Sequence, residues 1–156
     1  MNIKIIPAKE ELNELRELFK EYSNSLDIDL CFQDFEQELE DLPGKYSGPD
    51  GRLYIALFND KVAGCVALRR YNHESAELKR LFIRNGFRGL GISKRLVQKV
   101  IQESRDIGYH SILLDTLDTM KPAISLYRSF GFEEVSAYYP NPIEGALYFK
   151  LNLKKR

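Results

Sequence analysis

The stretch FRGLGISK, residues 87–94, places two glycines between basic side chains, directly before a helical pattern. Backbone N–H groups in the first turn of a helix have no partner within the helix, and the helix dipole adds positive potential there. Gly89 and Gly91 would leave these amides uncovered, and Arg88 and Lys94 would add charge. A tight strand-to-helix turn would explain one glycine well, but it explains two glycines with flanking charges less well. The loop therefore predicts a binding site for a phosphate group.

The common nucleotide-binding motifs do not fit this loop. Lys94 stands three positions after Gly91, where the dinucleotide motif G-x-G-x-x-G requires a glycine. The G-K-[ST] ending of a nucleotide P-loop is also missing. The phosphate is therefore not expected to belong to a dinucleotide or a nucleoside triphosphate.

The elements around the loop follow a clear order along the chain: strand, two helices, three strands, helix, strand, helix and two strands. An apolar stripe from Ile92 to Ile107 predicts a helix that ends at Gly108, and the apolar run SILLDT predicts a strand covered on both faces. The runs RLYIALF and VAGCVALRRY, separated by residues 59–61, predict a hairpin. The order predicts one mixed α/β domain, residues 1–156, with antiparallel middle strands and a later parallel crossover.

The composition of the whole chain excludes several classes of protein. Of 156 residues 44% are hydrophobic, which is enough for a core, and 23 basic residues balance 23 acidic ones, which disfavours nucleic acid or an anionic membrane as partner. Cys31 and Cys65 cannot form a disulfide framework, and neither a signal peptide nor a membrane-spanning run is expected. His73 and His110 lack metal-ligand spacing, so no metal is expected. We expect a soluble, cytoplasmic domain.

Three motifs together resemble the GCN5-related N-acetyltransferase (GNAT) superfamily. RGLGIS, residues 88–93, resembles the family's loop [R/Q]-x-x-G-x-[G/A], which cradles the pyrophosphate of acetyl-CoA. ELKRLFI before it looks like the family's fourth strand, and AISLYRSFGF looks like its A-x-x-LY-x-x-x-GF helix and the following strand. The family's order of elements covers nearly the whole chain. The resemblance implies a central mixed sheet of about seven strands, mostly antiparallel with a splayed parallel pair, flanked by about four helices.

The resemblance also implies where acetyl-CoA binds. The pantetheine arm would pair with the backbone of the splayed strand, where an N–H of Phe82 or Ile83 would polarise the acetyl carbonyl. Two departures from the family pattern are Ser93 at the last loop position and Met120 where many relatives carry asparagine. The expected cofactor contacts are Leu81, Phe82, Ile83, Arg88, Gly89, Leu90, Gly91, Ile92, Ser93, Lys94, Thr116 and Tyr127.

Two side chains align with catalytic positions of the family. Tyr127 aligns with the tyrosine proposed to protonate the sulfur of CoA, and a phenol can pass a proton to a thiolate over a short distance. Glu77 aligns with a general-base glutamate found in part of the family. A buried helix tyrosine and a surface charge at a strand end are the alternative readings. Some relatives use no dedicated base.

The acceptor of the acetyl group is less well defined. In the family the acceptor site is built from the first two helices with their loop, and from the final strand pair. The first segment is acidic and aromatic here, which suits a cationic amine, whereas Arg69 and Arg70 favour an acceptor with a carboxylate if either points inward. The stiff PNPIEG loop could wall the pocket. The wider pattern, including LPGKY and YYPNP, also looks like a subgroup of small bacterial acetyltransferases.

The first expectation is an N-acetyltransferase that moves the acetyl group directly to a primary amine of a small molecule in a ternary complex. Acetylation of a protein N-terminus or lysine is the second. A CoA-binding sensor that kept the loop and lost the chemistry is the third. An exposed sheet edge at the end of the chain could pair with a second copy to form a homodimer.

Overall fold

The computed structural model describes residues 2–26 and 34–153, and Cys31 and Phe32 lie outside these ranges. Within these ranges seven strands form one sheet, in the order β1-β2-β3-β4-β5-β7-β6. The strands are β1 (Ile3–Pro7), β2 (Arg52–Phe58), β3 (Lys61–Arg70), β4 (Ser75–Ile83), β5 (Ser111–Leu117), β6 (Glu133–Val135) and β7 (Ala146–Asn152).

In the described ranges four α-helices flank the sheet, and short 3₁₀ turns occur at Gly44–Tyr46 and Asn85–Phe87. The helices are α1 (Leu12–Leu26), α2 (Phe35–Asp41), α3 (Ile92–Ile107) and α4 (Lys121–Ser129). None of the helices in the described ranges has the length and apolar character needed to cross a bilayer. The predicted mixed α/β fold is confirmed.

Helices cover both faces of the sheet because their apolar side chains recur at helical spacing. On one face α3 and α4 pack on the sheet, with Leu96, Val100 and Tyr127 in a shared core. On the other face α1 and α2 enclose a second core that contains Leu15 and Phe35. β5 is buried on both faces over most of its length, as its apolar sequence predicts.

Strands β4 and β5 form the parallel pair of the sheet, and α3 connects them. Within the described chain their pairing runs only from Ser75↔Ser111 to Glu77↔Leu113. β4 continues to Ile83 and β5 to Leu117, so the carboxyl-terminal halves of the two strands separate. This is the splay that the family resemblance implies, and it opens a cleft in the middle of the sheet.

A β-bulge in β4 accompanies the separation. Cys65 of β3 pairs with Phe82, but Ala67 pairs with Lys79, so β4 carries one extra residue in this interval. Arg80 in the bulge has a φ of 60°, a left-handed conformation that is uncommon for a residue with a side chain. Because a bulge bends its strand and increases its twist, it helps to turn β4 away from β5.

The terminal hairpin differs from the sequence expectation. FEEVSAYY predicts a strand of about eight residues, but β6 contains only Glu133–Val135. Residues 136–145 form a loop instead, in which Pro140 and Pro142 have no N–H to donate to a neighbouring strand. The loop carries Tyr138, Tyr139 and Asn141, whose side chains donate hydrogen bonds to carboxylates of β4 and β5.

Candidate active site

A cleft lies where β4 and β5 separate, between α1 on one face of the sheet and α4 on the other. The loop between β6 and β7 forms a third wall. The cleft is lined by Tyr22, Leu26, Leu78, Lys79, Arg80, Leu81, Asp115, Thr116, Leu117, Met120, Ala123, Tyr127, Asn141 and Ile143.

The glycine loop leads from the end of β4 to the start of α3. Gly89 and Gly91 have φ angles of 80° and 82°, in the left-handed region that glycine adopts without strain. A Cβ atom added to either would meet no heavy atom within 4 Å, so the space above both is open. Ile92 is buried in the core and fixes the first turn of α3, whose amides follow directly after Gly91.

The two basic residues of the loop have different surroundings. The Nε of Arg88 donates a hydrogen bond to the carbonyl of Ile83 at 3.0 Å, and its guanidinium lies 6.0 Å from the ring centre of Phe82. Lys94 is exposed on the first turn of α3, next to half-buried Ser93. Arg88 therefore braces the loop against the end of β4.

The edge of β4 that faces β5 has no strand partner after Glu77 among the described residues. Leu81 lines the cleft, whereas the side chain of Phe82 packs in the core beneath α1. Backbone groups of Leu81, Phe82 and Ile83 are thus placed along an edge to which an extended ligand could add like another strand.

Tyr127 projects from α4 to the cleft. It is 5% exposed, and its ring packs against Phe132 and Phe149, with ring centres 5.7 and 6.4 Å away. Its hydroxyl makes no hydrogen bond with any described residue. Burial, together with Tyr22 and the charge of Asp115, raises the pKa of Tyr127. The phenol is therefore protonated at neutral pH and has a proton to donate.

Thr116 and Met120 also line the donor side of the cleft. The Thr116 hydroxyl lies 3.7 Å from the Met120 sulfur, to which it can donate a weak hydrogen bond. Met120 is the residue before α4, at the position where the family resemblance leads us to expect asparagine. A thioether cannot donate a hydrogen bond, so the asparagine contact to a cofactor has no equivalent here.

Glu77 is not among the residues that line the cleft. Its carboxylate accepts hydrogen bonds of 2.6 Å from Arg69 Nη1 and from the Tyr138 hydroxyl, and Lys79 Nζ lies 3.9 Å away. Burial raises the pKa of Glu77, but Lys79, Tyr138 and Arg69 outweigh it and leave the pKa lowered. The predicted base is thus placed beside the cleft, in a set of paired charges.

Asp115 and Lys79 line the cleft together with a third charged residue, Arg80, and the sequence reasoning singled out none of the three. Asp115 of β5 accepts hydrogen bonds on one carboxylate oxygen from the Tyr139 hydroxyl at 2.6 Å and from Asn141 Nδ2 at 2.9 Å. Lys79 of β4 is only 8% exposed. The signal for both was present, since Lys79 alternates with Glu77 on one strand face, and Asp115 precedes the expected cofactor contact Thr116.

Other candidate residues lie away from the cleft. Arg70 points outward and pairs with Asp50 on the surface at 3.1 Å, and Arg69 is engaged by Glu77. Cys65 is fully buried, and His73 and His110 are exposed. In residues 2–26 and 34–153 no cluster of three or more histidine, cysteine, aspartate or glutamate side chains could hold a metal ion.

Three features follow one another along the cleft: the amides at the start of α3, the edge of β4 and the Tyr127 hydroxyl, the last two without a hydrogen-bond partner in the described part of the chain. This arrangement fits an extended thioester with a phosphate-bearing end, which is the donor of an acyl-CoA transferase. The comparisons with known proteins agree. Residues 12–132 match the acetyltransferase (GNAT) family model, and the chain belongs to this family.

Similar proteins occur in eukaryotes and bacteria. An uncharacterized N-acetyltransferase of Schizosaccharomyces pombe is 38% identical over 99% of this chain and 96% of its own length. A GNAT acetyltransferase structure from Staphylococcus aureus Mu50 is 28% identical, with a TM-score of 0.82 over 98% of this chain and 100% of that one. A GNAT structure from Elizabethkingia anophelis with acetyl-CoA bound has the same fold, with 21% identity and a TM-score of 0.63 over 97% and 98% of the two chains. The chain is an acetyl-CoA-dependent N-acetyltransferase.

Proposed function

We propose that the protein acetylates a primary amine of a small molecule, by direct transfer within a ternary complex. The observation that carries this proposal is the cleft itself. It has donor features on the α4 side and a small, charged compartment on the α1 side. The two sides meet where β4 and β5 separate.

The donor side has residues suited to each part of acetyl-CoA, which supplies an activated acetyl thioester when bound. The amides of Gly89 to Lys94 would hold the pyrophosphate, and Arg88 would stabilise the loop. The unpaired edge at Leu81, Phe82 and Ile83 would hold the pantetheine arm and offer an N–H to the acetyl oxygen. Thr116 would contact the arm from β5.

Proton balance assigns roles to two side chains of the cleft. For an acceptor that enters as an ammonium ion, the C–N bond forms, the C–S bond breaks, and the nitrogen gives up two protons. Tyr127 donates a proton to the leaving sulfur and is reprotonated from solvent, so one proton ends on CoA. Asp115, whose carboxylate lines the cleft, binds the ammonium. Both nitrogen protons pass to water, one before the amine attacks and one after, and Tyr127 recovers one proton from solvent.

The surroundings of Glu77 do not favour the direct general-base role predicted for it. A carboxylate with a lowered pKa and two short hydrogen bonds is a poor proton acceptor. We infer that Glu77 positions neighbouring groups instead, since it joins Arg69 and Lys79 of the sheet to Tyr138 of the β6–β7 loop.

The burial of Cys65 favours direct transfer over a mechanism with a covalent acetyl-enzyme intermediate. Its sulfur is fully buried, contacts the Arg80 carbonyl at 3.3 Å, and has a pKa that burial raises. A thiol in this state is a poor nucleophile. Cys31 lies outside the described residues.

A small acceptor is favoured by the size of the compartment. Tyr22 and Leu26 of α1 and Ile143 of the β6–β7 loop narrow the cleft, and the space among the lining side chains is about 60 Å³. That volume is for the whole cleft, donor side included, so it admits only the reacting end of an acceptor, which favours a small molecule over a folded protein surface.

Release of free CoA thiol from acetyl-CoA, measured across a panel of small amines, tests the proposal. At least one amine should release CoA and gain an acetyl group by mass spectrometry. Tyr127→Phe should reduce kcat roughly 100- to 10,000-fold, the scale of one general acid, while the Kd for CoA stays within a factor of two. Tyr109→Phe, which removes a hydroxyl on β5's amino-terminal side, serves as the matched control and should keep full turnover.

The outcomes separate the alternatives. If acetyl-CoA binds but no small amine is acetylated while peptide amines are, the acceptor is a protein. If neither is acetylated, the CoA-binding sensor is the better account. Unchanged turnover in Tyr127→Phe would remove the acid role of that residue without removing the proposed activity.

A further inference from the structure

Lys79 is a buried cation that the donor chemistry does not use. Its residue is 8% exposed, and its side chain lines the cleft beside Leu78 and Leu81. Within the described part of the chain, its ammonium group forms no hydrogen bond. An ammonium has three N–H donors, and leaving donors unmet in a buried place opposes folding unless a ligand takes them up.

The next residue along β4 provides a contrast. Arg80 is 3% exposed, and its guanidinium donates to both carboxylate oxygens of Glu38, at 2.9 and 2.8 Å. This bidentate pair meets the usual requirement for a buried charge. Lys79, at the same depth in the protein, has no equivalent partner among the residues that the structure describes.

Glu77 does not satisfy Lys79. The distance from Lys79 Nζ to the nearer Glu77 oxygen is 3.9 Å, which is too long for a hydrogen bond. Both carboxylate oxygens of Glu77 already accept 2.6 Å bonds, one from Arg69 and one from Tyr138. The negative charge of Glu77 is therefore shared among two cations, Arg69 and Lys79, and the Tyr138 hydroxyl.

The other charges that act on Lys79 come from three elements. Arg80 follows Lys79 on β4, Lys45 belongs to the 3₁₀ turn at residues 44–46, and Asp115 faces the cleft from β5. Burial lowers the pKa of Lys79, Glu77 partly reverses this, and the pKa is about 8. Lys79 is thus mainly protonated at neutral pH and presents a positive charge to the cleft.

We propose that Lys79 binds an acidic group of the acceptor, and that the acceptor is an amino acid whose carboxylate lies beside Lys79 while its amine lies beside Asp115. This inference rests on the proposed small-amine activity and adds the substrate class. Lysine and aspartate project into one cleft from adjacent strands, and no ion pair within 4 Å joins them in the described structure, so an amino acid could bridge them. The cation that the sequence suggested at Arg69 or Arg70 is therefore supplied by Lys79.

Matched pairs of acceptors test the inference. Leucine would be compared with 3-methylbutylamine, and phenylalanine with phenethylamine, since each pair differs only in the carboxylate. Rates are expressed per concentration of neutral amine, because the two members differ in basicity. The amino acids should have at least a 30-fold higher kcat/KM in the wild type.

Variants of Lys79 attribute the preference to this side chain. Lys79→Met should remove the preference by raising KM for the amino acid, with less than a threefold change in kcat/KM for the decarboxylated amine. That second activity also shows that the variant is folded. Lys79→Arg should retain part of the preference, and Lys61→Met, a change of an exposed lysine at the β2–β3 turn, should behave as wild type.

Binding of a carboxylic acid without the amine gives a test that does not depend on turnover. The Kd of 4-methylpentanoate or 3-phenylpropionate, measured by calorimetry in the presence of CoA, should be constant below pH 8. It should rise about tenfold for each pH unit above, because deprotonation of Lys79 removes the charge. This rise should be absent in Lys79→Met, whose binding is weak throughout.

The two proposals fail in different ways. Equal rates for amino acids and their decarboxylated partners in the wild type would overturn the inference and leave the small-amine activity standing. If no amine is acetylated, the proposed function fails, and the calorimetric test then decides the role of Lys79. Acid binding that is weak in the wild type, or unchanged in Lys79→Met, would overturn that role.

Discussion

The two sides of the cleft are built in different ways. The donor side consists mainly of backbone: a glycine turn, the first amides of α3 and the unpaired edge of β4. The acceptor side consists of charged and hydroxyl side chains from β4, β5, α1 and the β6–β7 loop. Residues within 14 positions of one another, 81–94, form most of the donor side, whereas Lys79, Asp115 and Asn141 are far apart in the chain.

This difference explains why one substrate of the protein can be inferred more firmly than the other. A backbone site depends on local conformation, which short motifs encode, and it tolerates changes of most side chains. A site made from side chains of distant elements can change its specificity by single substitutions. The variants that follow are expected to affect the two sides separately.

The largest effect should come from the donor side. Gly91→Val places a β-branched side chain at a φ of 82° and in the open space above the loop. We expect kcat/KM for acetyl-CoA to fall at least 100-fold and CoA binding to become undetectable by calorimetry. Gly86→Val is the matched control, since Gly86 lies in the preceding 3₁₀ turn without a positive φ and a Cβ there also meets nothing within 4 Å. Micromolar binding of CoA to Gly91→Val would contradict the assignment of the loop.

The next largest effect concerns the buried ion pair between Arg80 and Glu38, next to the acceptor side of the cleft. Glu38→Ala leaves Arg80 buried without its bidentate partner, so the free energy of unfolding should fall by about 3–5 kcal/mol. Chemical denaturation measures this loss. Glu36→Ala removes an exposed carboxylate from the same helix and should change stability by less than about 0.5 kcal/mol. Similar losses in both variants would mean that the Arg80 pair is not a structural requirement.

A gain in stability is expected from Lys79→Met. The folded pKa of about 8 lies below the ordinary value of 10.5, so the folded protein holds this proton less tightly than the unfolded chain does. Burying the protonated group opposes folding below pH 8, and the opposition declines as the pH rises from 8 toward 10.5. At pH 7 the free energy of unfolding of Lys79→Met should exceed that of the wild type by an amount on the order of 1–3 kcal/mol. The variant should therefore unfold at a higher temperature.

The pH dependence of this gain is its most specific feature. The difference between Lys79→Met and the wild type should shrink between pH 8 and pH 10, as followed by thermal unfolding. Lys61→Met, at an exposed position, should not differ from the wild type over this range. A lysine that stabilises the fold would give the opposite sign, with Lys79→Met less stable at pH 7.

The smallest effect is expected at the β6–β7 loop. Tyr138→Phe removes a 2.6 Å hydrogen bond to Glu77, at a cost of about 1 kcal/mol. Because that bond lowers the pKa of Glu77, the variant should lose stability at a higher pH than the wild type as acid is added. Tyr71→Phe removes a bond to the neutral carbonyl of Tyr138, so it should lower stability without moving the acid transition. If the wild type, Tyr138→Phe and Tyr71→Phe lost stability at the same acid pH, the Tyr138 hydroxyl would not control the pKa of Glu77.

Sequence reasoning was strongest where conformation is local. The extents of α3 and β5 follow from apolar spacing, and Gly108 ends α3 in a left-handed conformation as expected. The short β6 was missed because two prolines and a set of long-range hydrogen bonds, rather than local propensity, set the path of residues 136–145.

For the site, too, features set by local conformation were predicted, and features set by long-range contacts were missed. The loop and the separation of β4 from β5 were anticipated through motifs, and Tyr127 is placed at the cleft. Spacing marked the positions of Lys79 and Asp115, but their importance depends on burial and on contacts that form only in the folded sheet. The Lys79 ammonium has no hydrogen bond to a described residue, whereas Asp115 accepts hydrogen bonds from Tyr139 and Asn141. Glu77 was named for a catalytic role, but its short bonds to Arg69 and Tyr138 arise only in the folded sheet.

A crystal structure of the protein with acetyl-CoA bound would test the central claim most directly. The account predicts pyrophosphate oxygens within hydrogen-bond distance of the amides of residues 89–94, and the thioester between the edge of β4 and the Tyr127 hydroxyl. The acetyl group should point toward Asp115 and Lys79. Acetyl-CoA bound elsewhere, or a thioester on the far side of β4 from Tyr127, would contradict it.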